Sequence, residues 1–600
     1  MTDGSTSRHR RPPVKFLVAG AVTALGLLCL SPPPPGPSAA GQAATSGSAA
    51  GLSAAVAAVP GTVVVSPEGS DDAAGTPAAP LRTVRAAVAR AASGQTIVLR
   101  AGSYHEFVTI PPAKKLILRS YPGEEVWLDG SQPVTGFARQ GNAYVVDGWT
   151  AEFDASPTYK RGAPDGTSQG WQFVSDQHPM AAHPDQVWID GVAQRQVGSR
   201  NEVTAGTFYV DYAANRLYLG SDPQDRAVRA STLGRALSIQ GAGSELHGVG
   251  IRRYATAVPQ MGAVTVEAPN AVLEDVAVTD NATTGLFVGA GGVALRNVSL
   301  VGNGMLGAAA TYADGLQVSG LVAERNNTEL FNTAPVSGGV KVGRSRGVDI
   351  GDSVFRDNNG PGLWLDESVF DAAVHGNDLL DNSGHGLTLE LSAQADVVNN
   401  VIAGNAGHGL KVNNTSDVRI WNNTISASGR AVNIVQDGRR ASDPDTPGHD
   451  PRQPFPDPAM SWINGPVEVR NNIMSNPGSP ADCLLCVEDY SGTYSAEELK
   501  VTALGNVYHR ALPAPPGSAV IWAMDAGEPA LFASPDDFRA ATGQELQHLY
   551  LEGAAPFVSG YLPDDTVTSR NSTFAQPLPR EIAQLAGQPA GTRSLGAFGR

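Results

Sequence analysis

Apolar residues recur along the chain in short alternating bursts, with glycine and asparagine between them. A small residue followed by apolar–x–apolar begins at Gly362, Gly386, Gly409 and Ala431, at separations of 24, 23 and 22 residues. The bursts are too short for the 3.6-residue period of a helix and are typical of short strands. The separation matches the length of a coil made of three short strands and three turns.

A second phrase repeats in step with the first. Asparagine leads a short apolar strand at Asn377, Asn400 and Asn423, 23 residues apart each time, with weaker copies at Asn297 and Asn472. Stacked coils of this length form parallel sheets with rungs about 4.8 Å apart, so that equivalent residues lie in columns. The repeats predict an all-β fold, a right-handed parallel β-helix, with the asparagines in a ladder at one turn.

Breaks in the repeat predict the domain organisation. The helical spacing of Leu81, Val84 and Val88 predicts an N-terminal capping helix. Alternating strands between 131 and 232 predict a small inserted antiparallel β-sandwich. The stretch 442–458 is rich in Pro and Asp, which predicts a loop over one edge of the helix. The predicted segments are a signal peptide (1–44), a linker (45–60), the cap and first coils (61–130), the insertion (131–232), the main β-helix (233–510) and the C-terminal coils and cap (511–600).

The N-terminus has the pattern of an export signal. Basic residues between Arg8 and Lys15 precede an apolar run from Phe16 to Leu30, which is short for a membrane span, and small residues follow up to Ala44. We therefore expect a secreted, extracellular protein without a membrane partner after cleavage. An uncleaved anchor or lipid attachment at Cys29 is the alternative.

The composition of the chain limits the classes of partner and cofactor that it could bind. The net charge is −16 and the body of the chain has no Lys/Arg-rich run, which argues against nucleic acid and anionic membranes. Cys483 and Cys486 have the C-x-x-C spacing; no second pair supports zinc, and in an exported protein a disulfide is expected rather than redox catalysis. The sequence predicts no metal site and no organic cofactor, and it leaves the oligomeric state open.

The strand phrase predicts which side chains share a surface. If Leu363 and Leu387 point inward, alternation places Asp366 and Glu390 outward on adjacent rungs. Two carboxylates on one exposed face are what glycosidases need. Retaining enzymes hold them about 5–5.5 Å apart and inverting enzymes about 6.5–9.5 Å, so adjacent rungs favour retention. Residues around the pair are predicted to bind substrate: Trp364, Glu367, His385, His408, Lys411 and Asn413.

The phrases GLWLDES, at 362–368, and GLTLELS, at 386–392, resemble the active-site coils of parallel β-helix glycosidases of the β-xylosidase type. The resemblance implies that Asp366 is the nucleophile and Glu390 the acid/base, with a polysaccharide or oligosaccharide as substrate. Two further functions stay open. One is a polysaccharide lyase, with Lys411 or Lys341 as base and Ca²⁺ held by the two carboxylates. The other is a non-catalytic carbohydrate-binding protein.

The same residues also have structural interpretations. Asp366 would cap a turn, and Glu390 would pair with Lys411 as a surface ion pair of little energetic value. His385 and His408 precede equivalent glycines and would stack at a turn.

Overall fold

The computed structural model describes residues 61–476, 483–511, 517–526 and 528–599. Most of them form a parallel β-helix with three faces, each a 13-stranded sheet. The chain passes through sheet 1, then sheet 2, then sheet 3, before it begins the next coil. The predicted signal peptide and linker lie outside the described residues. No helix among the described residues is long and apolar enough to cross a membrane.

The strands of each sheet follow in spatial order. Sheet 1 contains Val63–Val65, Thr96–Leu99, Ile117–Ser120, Glu245–His247, Val272–Glu274, Ala294–Arg296, Gln317–Ser319, Arg346–Gly351, Phe370–His375, Ala393–Val398, Ser416–Trp421, Val467–Arg470 and Val501–Leu504. Sheet 2 contains Gly102–Tyr104, Val126–Asp129, Gly250–Arg252, Ala277–Thr279, Ser299–Val301, Val322–Glu324, Val354–Arg356, Asp378–Leu380, Val401–Ala403, Thr424–Ser426, Ile473–Asn476, Val507–Arg510 and Leu549–Glu552. Sheet 3 contains Val108–Ile110, Leu237–Ile239, Val264–Val266, Thr284–Val288, Leu306–Thr311, Gly338–Gly343, Leu363–Asp366, Leu387–Glu390, Leu410–Asn413, Val432–Gln436, Leu485–Asp489, Val520–Asp525 and Glu528–Phe532.

The interior is a stack of apolar side chains in register. Leu363 pairs with Leu387, Leu387 with Leu410, and Leu410 with Val432, and all four are fully buried. Each rung contributes equivalent residues from all three sheets to one continuous core. The predicted inward column of sheet 3 is therefore confirmed.

The asparagines form two ladders rather than the single one predicted. At the turn from sheet 1 to sheet 2, the side-chain amide of Asn377 donates to Asn400 (3.0 Å), and Asn400 donates to Asn423 (2.9 Å). This ladder runs on through residues 472 and 506 to the carboxyl of Glu545. A second ladder at the turn from sheet 2 to sheet 3 joins asparagines 281, 303, 326, 358, 382 and 405.

The second ladder explains the glycine in the repeated phrase. A Cβ at Gly386 would lie 2.7 Å from Nδ2 of Asn405, and one at Gly362 would lie 2.8 Å from Nδ2 of Asn382. These distances are closer than carbon and nitrogen can approach, so the turn accepts only glycine beside the ladder. Where the asparagines have ended, Ala431 occupies the glycine position.

One helix covers the start of the β-helix, and the other α-helices lie between or after its last strands in the sequence; of these, Arg580–Leu585 packs back against Val398 and Trp421 of sheet 1. Val84–Arg90 begins at Thr83, whose side chain caps Ala86 N–H, and packs Val84 and Val88 into the first coil. The remaining α-helices are Pro535–Thr542, Asp565–Thr568, Asn571–Phe574 and Arg580–Leu585, and the 3₁₀ turns are Arg200–Glu202, Val258–Gln260 and Ser559–Tyr561.

The insertion at 131–232 leaves the β-helix within its second coil, between the sheet 2 strand Val126–Asp129 and the sheet 3 strand Leu237–Ile239. Its strands are Ser131–Pro133, Ala138–Gln140, Ala143–Asp147, Val187–Ile189, Val192–Gln196, Thr207–Asp211, Arg216–Leu219 and Val228–Ser231. All eight strands are hydrogen-bonded into one continuous sheet, antiparallel except where 192–196 meets 207–211. The sequence predicted a small antiparallel β-sandwich. Apolar side chains from both halves of the sheet, such as Val187 and Leu217, share one core, and the one departure from the predicted antiparallel pairing is the parallel pair.

Two long segments without strands rise beside sheet 3. One, residues 148–186, belongs to the insertion. The other, residues 437–466, contains the predicted loop at 442–458 and is fixed to the coils by Arg452, which contacts Asp450 and Asp314 at 2.8 and 2.9 Å. Residues of both segments line the cleft described in the next subsection.

Candidate functional site

Asp366 and Glu390 lie on adjacent rungs of sheet 3. The register pairs Trp364 with Thr388 and Leu365 with Leu389, so the residue that follows each pair falls in the same column. Asn413 occupies the next rung. The predicted outward column is therefore present, and both carboxylates line a cleft although little of either side chain is exposed.

Asp366 is held by a lysine from the preceding rung. Lys341 Nζ lies 2.9 Å from Oδ2 of Asp366 and also donates to the Pro335 carbonyl at 2.9 Å. The other oxygen, Oδ1, accepts the backbone N–H of Glu367 at 2.8 Å. Both oxygens of Asp366 are thus fixed, and the ammonium stabilises the ionised carboxylate.

Glu390 is held by an arginine from the 437–466 segment. Arg439 Nη2 lies 2.6 Å from Oε1 of Glu390 and 2.7 Å from Oδ2 of Asp437. Burial opposes ionisation of Asp437, but hydrogen bonds from Arg439 and Asn413 outweigh it and hold the pKa of Asp437 well below its usual value. Oε2 of Glu390 has no partner among the described residues and remains available to a ligand.

The cleft above these carboxylates has a volume of about 940 Å³, within the size range of ligand sites. Its floor is sheet 3, and its walls come from residues 148–186, 327–337 and 437–450. Asn332 ties two walls together, because its amide donates to the carbonyls of Gly170 and Gln172 at 2.6 and 3.0 Å. The lining residues include Tyr159, Thr167, Ser168, Trp171, Phe173, Lys341, Arg344, Trp364, Asp366, Glu367, His385, Thr388, Glu390, Lys411 and Arg439.

The two histidines form a stacked pair at the edge of the floor. Their rings are 4.7 Å apart and nearly parallel, and the backbone N–H of His408 donates to Nδ1 of His385 at 2.8 Å. Burial, together with the nearby charges of His408 and Lys411, lowers the pKa of His385 to about 3. His385 is therefore neutral, with its proton on Nε2, and Nε2 has no partner among the described residues.

Other donors on the floor are also unused. Lys411 makes no ion pair or hydrogen bond with any residue the structure describes. Trp364 Nε1 and Thr388 Oγ, on the two preceding rungs of its column, are buried without a partner in the described chain. Buried donors of this kind are uncommon in folded proteins.

The structure divides the predicted binding residues into two groups. Trp364, Glu367, His385 and Lys411 line the cleft, whereas Asn413 and His408 do not. Asn413 instead donates to Asp437 at 3.1 Å, and His408 supports His385 from behind.

One predicted contact is wrong, and one side of Trp364 is covered. Lys341 Nζ lies 3.7 Å from the centre of the Trp364 ring, over one of its two faces. Glu390 pairs with Arg439 and not with Lys411.

Sequence reasoning missed several lining residues. Arg344, which pairs with Glu367 at 2.6 Å, Arg439, Tyr159 and Trp171 all lie outside the repeated phrase. Tyr159 and Trp171 come from the insertion, more than 190 residues before the carboxylates. The only signal for them was that both long segments interrupt the repeat.

Cys483 and Cys486 form a disulfide in the structure, buried against Ile521. Among the described residues, no group of three or more His, Cys, Asp or Glu side chains is arranged to hold a metal ion.

Comparison with known proteins bears on the fold. A family model described as "Right handed beta helix region" matches residues 262–434. The chain forms a right-handed parallel β-helix. Its structure resembles "The complex structure of XylC with xylose" with a TM-score of 0.63 and 14% sequence identity, over 90% of this chain and 98% of XylC. At that identity the likeness is one of fold.

Two curated proteins match short stretches of this β-helix protein. "Pectate lyase PEL9" of Emericella nidulans is 45% identical over 76 residues, which are 12% of this chain and 18% of that protein. "Uncharacterized protein YwoF" of Bacillus subtilis is 39% identical over 70 residues, 11% of this chain and 15% of that protein. The chain thus spans less than a fifth of the length of these relatives.

Proposed function

We propose that this protein is a secreted carbohydrate-active enzyme, a retaining glycoside hydrolase in which Asp366 is the nucleophile and Glu390 the acid/base. The observation that carries the proposal is the placement of these two carboxylates on adjacent rungs, beneath a cleft of about 940 Å³. Neighbouring rungs separate backbones by about 4.8 Å, close to the spacing that retention requires.

The contacts of each carboxylate suit the role proposed for it. A nucleophile must be held in a fixed orientation, and Asp366 is, because Lys341 and the Glu367 N–H each bind one of its oxygens. An acid/base must exchange a proton with the glycosidic oxygen and then with water. Glu390 lines the cleft and binds Arg439 through Oε1 alone, which leaves Oε2 without a partner among the described residues.

The cleft provides a surface suited to sugars. Trp171 is largely exposed at its mouth, and Tyr159 packs edge-on against Phe173 beside it. Aromatic faces bind the C–H faces of sugar rings, while the donors on the floor suit their hydroxyls. The fold also resembles that of XylC, whose solved structure is a complex with xylose.

The test compares Asp366→Asn and Glu390→Gln with wild type on a panel of aryl glycosides. Each variant should lose at least about a hundredfold in kcat/KM on substrates with poor leaving groups. With a dinitrophenyl leaving group, which needs no acid, Glu390→Gln should still form the glycosyl–enzyme, whereas Asp366→Asn should not. The first product observed by NMR should retain the anomeric configuration.

Asp396→Asn is the matched control. Asp396 stands on sheet 1 at the start of the coil that follows Glu390. It is likewise paired with an arginine of a neighbouring coil, Arg419, at 2.6 Å, but it does not line the cleft. Its loss should leave turnover unchanged. Equal losses in all three variants would trace the effect to coil stability and contradict the catalytic assignment.

One observation supports a second candidate, a polysaccharide lyase. Lys411 is a cation in the cleft with no ion-pair partner among the described residues, as a lyase base would need. A lyase would release an unsaturated, ultraviolet-absorbing product and lose activity in Lys411→Met. Inhibition by a chelator would show that Ca²⁺ is required. Sugar binding that survives in Asp366→Asn and Glu390→Gln, without turnover by wild type, would favour a binding protein.

A further inference from the structure

The charges that line the cleft are matched except at one place. Lys341 pairs with Asp366, Arg344 with Glu367, and Arg439 with Glu390. Lys411 is the fourth cation of the lining and contacts no carboxylate in the part of the chain that the structure describes.

Nearby acids are engaged elsewhere. Asp437 is bound by Arg439, and Glu488, two rungs beyond Lys411, is bound by Arg430. Half-buried ammonium groups usually have a counterion, because removal from water is otherwise uncompensated. Lys411 is therefore a cation whose charge no described carboxylate compensates.

Around Lys411 the floor offers donors rather than acceptors. His385, in the turn that precedes the neighbouring rung, is neutral and presents Nε2–H, since its Nδ1 accepts the His408 N–H. Thr388, directly adjacent to Lys411 in the column, has a buried hydroxyl without a partner. An ammonium beside an N–H donor matches the two oxygens of a carboxylate, whereas a single sugar hydroxyl would leave the positive charge uncompensated.

We propose that Lys411 and His385 form a subsite for the carboxylate of an acidic sugar, so that the substrate contains a uronic acid unit. The proposal rests on the proposed function only in that the cleft binds a carbohydrate, and it holds for hydrolysis or elimination. The subsite lies one rung beyond Glu390 and two beyond Asp366. The acidic unit therefore binds beside the reacting bond rather than at the mouth of the cleft.

The experiment measures binding rather than turnover. D-glucuronate is compared with D-glucose, and D-galacturonate with D-galactose, by titration into the full-length wild-type protein with ligand-observed NMR. At least one uronate should bind about tenfold or more tightly than its neutral partner, as a charge-assisted hydrogen bond predicts. Its affinity should fall as salt rises, while that of the neutral sugar stays constant.

Substitutions then test whether Lys411 causes the preference for the uronate over the neutral sugar. Lys411→Met should abolish the preference, because it should weaken binding of the uronate about tenfold more than binding of the neutral sugar, and Lys411→Arg should keep it. Lys411→Gln provides a second neutral variant if the methionine protein does not fold. Lys115→Met is the control, because Lys115 is a lysine of the same fold that lies outside the cleft, in an ion pair with Glu245 on sheet 1.

Three outcomes would overturn the proposal: equal binding of each uronate and its neutral partner, no binding of any of the four sugars by wild type, or a Lys411→Met variant that loses both members of a pair equally. Failure of the hydrolase proposal is a separate result, since it would appear as unchanged turnover in Glu390→Gln. The uronate preference would remain measurable in that case.

Discussion

The asparagine ladder between sheets 1 and 2 ends on a carboxyl group, that of Glu545. We therefore expect the stability of the protein to depend on the ionisation of this group. Asn506 Nδ2 donates to Oε1 of Glu545 at 2.6 Å, and Tyr508 donates to the same oxygen at 2.9 Å. Glu545 is fully buried, and burial raises its pKa from 4.5 to about 7, against the opposing effect of these hydrogen bonds.

The sign follows from proton linkage. Between pH 4.5 and pH 7 the native protein keeps a proton on Glu545 that the unfolded chain has already released, so stability falls as pH rises through this window. Above pH 7 no further loss occurs. The difference between the two pKa values corresponds to about 3 kcal/mol of free energy of unfolding at pH 8. Glu545→Gln preserves the shape and the accepting oxygen but cannot ionise, and it should regain that amount.

The assay is guanidinium denaturation of wild type and Glu545→Gln at pH 4.5 and pH 8, followed by circular dichroism. The variant should be close to wild type at pH 4.5 and about 3 kcal/mol more stable at pH 8. Other buried acids, such as Asp185 with a pKa raised by burial to about 6, are present in both proteins and cancel in the difference. Glu497→Gln, an exposed change, should show no such divergence. An equal difference at both pH values would refute the reasoning and show that Glu545 is ionised in the native state.

Three further predictions concern the ladder and the cleft. Asn400→Ala removes the acceptor of Asn377 and two donor contacts of its own, and in denaturation it should lower the free energy of unfolding by about 3 kcal/mol or more. The control Asn142→Ala, at an exposed position, should lower it by under about 0.5 kcal/mol. Lys341→Met leaves Asp366 without its ion-pair partner, so it should lower both the melting temperature and kcat. Circular dichroism should show that the variant is still folded. An unchanged kcat would show that Lys341 has no part in catalysis. Trp171→Ala should raise KM for tri- and tetrasaccharides about three- to tenfold but leave aryl monosaccharides unaffected, and equal effects on both would place Trp171 beside the reacting bond.

The β-helix was predictable because its repeat is local and its register is simple. In a parallel stack, residues 22 to 24 positions apart must be neighbours, so the column of Asp366 and Glu390 followed from counting. The two ladders also leave a trace in the sequence, although only the one led by Asn377 was recognised. The asparagines of the other ladder occur in short polar turns such as Asp381–Asn382. In the sequence these residues look like ordinary turn residues.

What sequence could not supply lies outside the repeat. Arg439, which lies 49 residues after Glu390 in the sequence, reaches it from a segment that has no strand of its own. Tyr159 and Trp171 enter the cleft from an insertion whose path no periodicity describes. The repeat places Lys341, Trp364 and Lys411 in one column of sheet 3. A column position does not determine side-chain contacts, however. It therefore could not show that Lys341 covers the Trp364 ring or that Lys411 has no ion-pair partner among the described residues.

The coils and the long segments that leave them control different features of the site. The coils determine the spacing of the two carboxylates, because that distance is set by rung separation and cannot be changed without breaking the stack. The charge around them is set separately: Lys341 belongs to a coil, but Arg439 belongs to the 437–466 segment, which rests on the coils through contacts such as Arg452 with Asp314. Weakening that docking, as in Asp314→Asn, would disturb the cation on Glu390 without altering the spacing from Asp366. Reaction stereochemistry should therefore survive such changes even where the rate does not.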